Sequence, residues 1–138
     1  MVTQPRTILL LIGAAKIEFI VQRSLVLGNS ADVTITMTNS GKVERFQSLP
    51  TIIALDDLRR LAEYIETALN EEIDYEYLPL NLGFEFYAYD NDDYVTTVNL
   101  FLLSAETEGE RRSYVGCQGP VLNDMLTRFA NQLKECAK

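Results

Sequence analysis

The residues of this chain whose types and spacing invite chemistry are its carboxylates, two cysteines and a cluster of tyrosines. The run Asp90-Asn91-Asp92-Asp93 gathers three carboxylates and an amide, hard oxygen donors that suit a cation such as Ca2+. It lacks the glycine and the distant glutamate of an EF-hand loop, so the simpler reading is a solvated hairpin turn, and no metal is assigned. Cys117, in Gly116-Cys117-Gln118-Gly119, stands at the expected end of a strand just before a helix, where the helix dipole would favour a thiolate. A reactive cysteine would also need a proton acceptor, and the chain contains no histidine. That removes Ser-His-Asp and Cys-His arrangements, the usual general base near neutral pH and most zinc and iron sites. No G-x-x-x-x-G-K-[ST], G-x-G-x-x-G or C-x-x-C run occurs, so nucleotide cradles and paired-cysteine sites find no support. With twenty acidic residues, any pair chosen for glycoside chemistry would be arbitrary. No catalytic residue and no cofactor is therefore expected.

Charge is more informative than these motifs. The net charge is −8, but residues 56 to 93 hold twelve carboxylates against only Arg59 and Arg60, a local balance of −10 that leaves the rest at +2. Such a field repels nucleic-acid phosphates and anionic membranes, and it attracts basic partners and speeds their association. Glu63, Glu66, Glu71, Glu72, Asp74 and Glu76 are expected to form one patch along and beyond a helix, each alternatively a plain solvated position. Tyr87, Tyr89, Asp90, Asp92 and Asp93 add the tyrosine-with-acid composition of a surface that receives a basic, partly apolar partner. The simpler reading of the tyrosines is ordinary strand residues with wet hydroxyls.

The elements that must position these residues follow from periodicity. Leu58, Leu61, Ala62, Ile65 and Leu69 recur at helical spacing and predict a helix over 55–70. Leu122, Met125, Leu126, Phe129 and Leu133 repeat the pattern over 120–136, with Pro120 at a first-turn position. The first fifty residues read as strands. Ile8 to Ile12 is an apolar run that leans to strand, Lys16 to Gln22 alternates with only Ile20 out of pattern, and Val33, Ile35 and Met37 alternate with threonines. Residues 79–117 read as three further strands, with Phe84, Phe86 and Ala88 on one face and Glu85, Tyr87 and Tyr89 on the other. In the next strand Phe101 and Leu103 join Val98, Leu100 and Leu102 as apolar residues, so it is expected to be central and covered on both sides at its far end. The order strands, helix, strands, helix predicts a single α+β domain over 1–138, an antiparallel, meander-like sheet with two amphipathic helices packed on one face.

A hydrophobic content of 47% in 138 residues suffices for one core. No apolar run approaches the roughly 18 residues of a membrane span. Arg6, the run Ile8 to Ile12 and Gly13-Ala14-Ala15 faintly imitate a secretory signal, but the apolar part is short and no disulfide framework follows. Two cysteines, Cys117 and Cys136, fit free thiols in a reducing cytoplasm, a single bridge being the alternative.

The L-x-x-L-A-x-x-I helix, the strands L-G-F-E-F-Y-A-Y-D and Y-V-T-T-V-N-L, and the closing G-P-V-x-x-x-M-L-x-x-F-A-x-Q-L helix together resemble the small immunity proteins of bacterial polymorphic toxin systems, the Wap-type group in particular. The resemblance covers Leu58 to Leu133 and implies a cytoplasmic protein that binds and blocks a toxin domain, with no catalytic residues to carry over. The expected function is accordingly a non-catalytic module that presents its acidic segment to a basic protein, with no nucleic acid or membrane partner. Self-association into a homodimer stays open. The alternative is a small enzyme or ligand-binding domain using carboxylates or Cys117 in a pocket between sheet and helices.

Overall fold

The computed structural model describes residues 4–24, 28–39, 45–47, 51–70, 84–108 and 111–138. Ten elements follow in order: β1 (Arg6–Ile12), β2 (Ala15–Arg23), β3 (Ser30–Asn39), β4 (Arg45–Gln47), β5 (Thr51–Ala54), α1 (Leu55–Asn70), β6 (Phe84–Tyr89), β7 (Val95–Glu108), β8 (Arg111–Leu122) and α2 (Asn123–Cys136). The fold is α+β with antiparallel pairing throughout, but the expected single sheet is two. The first half forms a five-stranded sheet in the order β1-β2-β3-β4, with β5 also paired to β3. β4 pairs with Thr36 to Thr38 and β5 with Ser30 to Val33, so two short strands share one long edge. The second sheet is the meander β6-β7-β8, with β7 central as expected.

Alternation decides the core. In β1 and β2 the cross-strand pairs Ile8↔Phe19, Leu10↔Ile17 and Ile12↔Ala15 lie on one face, and all six are buried. The same face continues into β3 through Phe19↔Ile35 and Val21↔Val33. In the second sheet Phe86↔Leu100 and Ala88↔Val98 do the same. The helices fill the space over these faces. α1 buries Leu58, Leu61, Ala62 and Ile65, and α2 buries Leu126, Phe129, Ala130 and Leu133. Phe129 of α2 joins the sheets: its ring lies 5.0 Å from Phe19 of β2, edge-on, and 6.2 Å from Phe86 of β6, stacked. These separations are the favoured ones for aromatic pairs and add about 0.5–1.5 kcal/mol each beyond area burial. One core thus serves both sheets.

The sheets also meet at a corner. Gly13, in the β1–β2 turn at φ 56, donates its amide to Pro120 O of β8 at 3.0 Å. A Cβ on Gly119 would sit 3.0 Å from Gly13 N, so the backbones can approach this closely because position 119 has no side chain. This corrects the expected start of α2. Pro120 is not a first-turn residue but a strand residue opposite Thr97, and Leu122, expected in the apolar stripe, ends β8 with 58% exposure. The helix opens at Asn123 instead. Proline is tolerated in this edge strand, where its carbonyl is used and no amide is needed. Within the first fifty residues, expected to be strands, 25–27, 40–44 and 48–50 lie outside the described residues, as do 79–83 at the start of the expected second set of strands.

Candidate partner-binding face

With Phe84, Phe86 and Ala88 turned into the core, strand geometry turns Glu85, Tyr87 and Tyr89 outward. The register of the meander then stacks them into three rows on the outer face of the second sheet. Tyr89 lies opposite Thr97, which lies opposite Pro120. Next comes Tyr87, Asn99 and Gln118, and then Glu85, Phe101 and Gly116. Tyr87 donates its hydroxyl proton to Glu85 Oε2 at 2.8 Å, and its ring meets Phe101 edge-on at 5.9 Å. Gln118 Nε2 donates to the Tyr89 hydroxyl. Asn99 Oδ1 is buried without a hydrogen-bond partner among the described residues. Phe101 is half-buried and leans on the next strand, where a Cβ at Gly116 would fall 2.6 Å from its Cδ1; the side chains of β7 from Leu103 onward, on which the expected double cover of its far end also rests, lie outside the described ones. An aromatic ring lying over a strand glycine shields the exposed backbone there.

The acidic turn closes one end of this face. Asp90 takes the left-handed conformation at φ 51, which aspartate tolerates better than most residues. Asp92 Oδ1 accepts the amides of Tyr94 and Val95, each at 2.8 Å. Those two bonds, Val95 first, hold its carboxyl below the ordinary value. Asn123, the first residue of α2, donates to Asp92 O and accepts from Thr96 Oγ1, which in turn accepts from Asn91 Nδ2. The turn is therefore tied to a helix start, and the Asp92 carboxylate is fixed by its two backbone amides. No cation among the described residues pairs with Asp90, Asp92 or Asp93. Among the described residues no group of three or more His, Cys, Asp and Glu is placed to hold a metal ion.

The acids of α1 behave differently. Asp56 pairs with Arg59, Asp57 with Arg60 at 3.8 Å, and Glu66 with Lys134 of α2. Glu63 is exposed and has no ion-pair partner among the described residues. Glu71, Glu72, Asp74 and Glu76 lie outside the described residues. The tyrosines and acids at 85 to 93 come together on one face, whereas three of the four described α1 acids are engaged by neighbouring cations. Sequence reasoning did not place Glu85, Asn99, Phe101, Gly116 or Gln118 in the candidate site, although it put Glu85 on the same strand face as Tyr87 and Tyr89. Two signals were available: Phe101 breaks the inward alternation of β7, and residues 61 to 110 contain no lysine or arginine at all.

The features that would favour catalysis are arranged otherwise. Cys117 lies within β8 opposite Leu100, six residues before the first residue of α2, so no helix start stabilises its thiolate; burial pushes the thiol up to about 11. Both cysteines are free thiols. A cavity of about 260 Å3 lies where β1, β2 and the end of α2 meet. Arg6, Arg23, Glu135, Cys136 and Lys138 line it, and they satisfy one another: Arg23 donates to Lys138 O, and Lys138 Nζ to Glu135 Oε1 at 2.9 Å. With Arg59 donating to Ala137 O, these cations complement the negative end of α2.

No protein-family model matches the chain, and no curated protein matches it in sequence. No helix among the described residues is long and apolar enough to cross a membrane.

Proposed function

We propose that this protein is a cytoplasmic, non-catalytic binding module of immunity type that blocks a basic protein such as a toxin domain. The outer face of β6–β8 and the adjoining acidic turn would form its contact surface. One observation carries the reading: Glu85, Tyr87, Tyr89, Phe101 and Gln118 share one sheet face beside Asp90, Asp92 and Asp93, and all of these but Gln118 fall within residues 61–110, which hold no lysine or arginine. Tyrosine and phenylalanine supply large contact area at small entropic loss, and neighbouring carboxylates favour a positive partner and accelerate its approach.

The reading is tested by affinity capture from the native host with the wild-type protein, a Tyr87→Ala/Phe101→Ala variant and an Asp90→Asn/Asp93→Asn variant. A specific basic protein should be retained by the wild type and lost or much reduced with both variants, while their circular dichroism stays native. Undiminished capture by both would move the contact surface elsewhere. Capture of an acidic partner would end the electrostatic reading.

A further inference from the structure

We propose that the row Glu85–Phe101–Gly116 receives the guanidinium of an arginine from the partner, stacked on Phe101 and held by the Glu85 carboxylate. This rests on the reading of the face as a docking surface for a basic protein, and it specifies which cation the face selects. Glu85 and Phe101 are directly opposed across β6 and β7, which places their Cβ atoms about 5 Å apart on the same side of the sheet. A planar cation lying on the ring therefore meets the carboxylate at its edge. Phe101 occupies the space that a Cβ at Gly116 would take, so its ring lies over the backbone of β8 and no side chain at 116 displaces it. Tyr87 fixes the acceptor, because its hydroxyl binds Glu85 Oε2 and leaves Oε1 without a donor from the described residues. In the neighbouring row Asn99 Oδ1 also lacks a donor.

The chemistry separates arginine from lysine. A guanidinium is planar and weakly hydrated, stacks on aromatic faces and presents several N–H groups in a fork that fits a carboxylate. An ammonium is a compact, strongly hydrated point charge; it would answer the field of the acidic turn equally well but gains less from the ring. The turn should thus set attraction to any cation, and the Glu85–Phe101 pair should set the preference between cations.

The test is an NMR titration of the isotope-labelled full chain with oligoarginine and oligolysine peptides of equal length, capped at both ends, at one low ionic strength. The wild type should bind the arginine peptide about three- to fivefold more tightly than the lysine peptide, with the largest shifts at the amides of Phe101, Gly116 and Gln118. In Phe101→Leu, which keeps an apolar cover on Gly116, and in Glu85→Gln, the two peptides should become equivalent. Asp90→Asn/Asp93→Asn should weaken both peptides alike and leave their ratio unchanged. Equal affinities in the wild type, or a preference that survives Phe101→Leu, would overturn the arginine assignment and leave the basic-partner reading standing. Absence of shifts on this face with either peptide would overturn both.

Discussion

At the scale of single residues, environment reverses what neighbouring sequence suggested for Cys117. A cysteine near a glycine-rich turn and a helix start reads as an activated thiol, yet β8 runs on to Leu122 and carries Cys117 to a position opposite a fully buried Leu100. Its side chain is half-buried beside the core, and burial disfavours the thiolate, so the pKa rises from 9.0 to about 11. The sign follows from that direction. The protonated thiol is the form compatible with the fold, so its contribution is complete below pH 9 and fades as pH climbs through the folded value. Alkylation of Cys117 at pH 8 should accordingly be much slower in the native protein than in the denatured one, with the native rate rising only toward pH 11. Mass spectrometry of partially alkylated protein measures this directly, and equal native and denatured rates at pH 8 would show that the thiol is not held as described. Asp92 is the opposite case: two backbone amides favour its charged form, and its function is to hold the turn in place.

Elements of strong period were legible from the sequence, and those set by long-range partners were not. The helix over 55–70 was readable because five apolar residues at helical spacing leave no other way to bury them together. The inward set of β6 was readable from strict alternation. β5 was not, because Thr51 to Ala54 is too short to show a period and exists through its pairing with β3. The split into two sheets was equally hidden, since nothing local to Gly13 or Gly119 announces that their backbones meet. The tie between α1 and β6 depends in the same way on one distant atom. Tyr64, which looks like an ordinary helix residue, uses its hydroxyl to accept from Ala88 N at 3.1 Å, on the edge of β6 that pairs with no described strand. Tyr64→Phe removes that acceptor and leaves a buried amide without a partner, a loss of about 1–3 kcal/mol, to be read from chemical denaturation together with faster hydrogen exchange at Ala88. Leu61→Ala and Leu126→Ala probe the helix packing itself. Both side chains are essentially inaccessible, and each truncation should cost about 2–5 kcal/mol in thermal or chemical unfolding. A loss below about 0.5 kcal/mol at both would be irreconcilable with the burial of these stripes.

At the scale of the whole molecule the question is whether total charge or its placement guides a partner. The net charge of −8 acts at long range whatever its distribution. Near physiological ionic strength the screening length falls to about 8 Å, and only carboxylates close to the proposed docking surface would still contribute. The two groups of acids differ in this respect. Asp90 and Asp93 adjoin the aromatic face and have no cationic partner among the described residues, whereas Asp57 and Glu66 are engaged by Arg60 and Lys134. Two variants that remove the same formal charge therefore make a matched pair: Asp90→Asn/Asp93→Asn and Asp57→Asn/Glu66→Gln. At low salt both should slow association with the proposed basic partner, because both reduce the negative net charge equally. At moderate salt the turn variant should remain slow and the helix variant should return to the wild-type rate, while losing no more than about 1 kcal/mol of stability from its exposed ion pairs. Stopped-flow association at the two salt concentrations reads this out. Equal slowing by both variants at moderate salt would mean that the turn is not part of the contact surface. Wild-type rates for both variants at low salt would mean that these carboxylates only solvate the chain, and the electrostatically guided encounter would have to be abandoned.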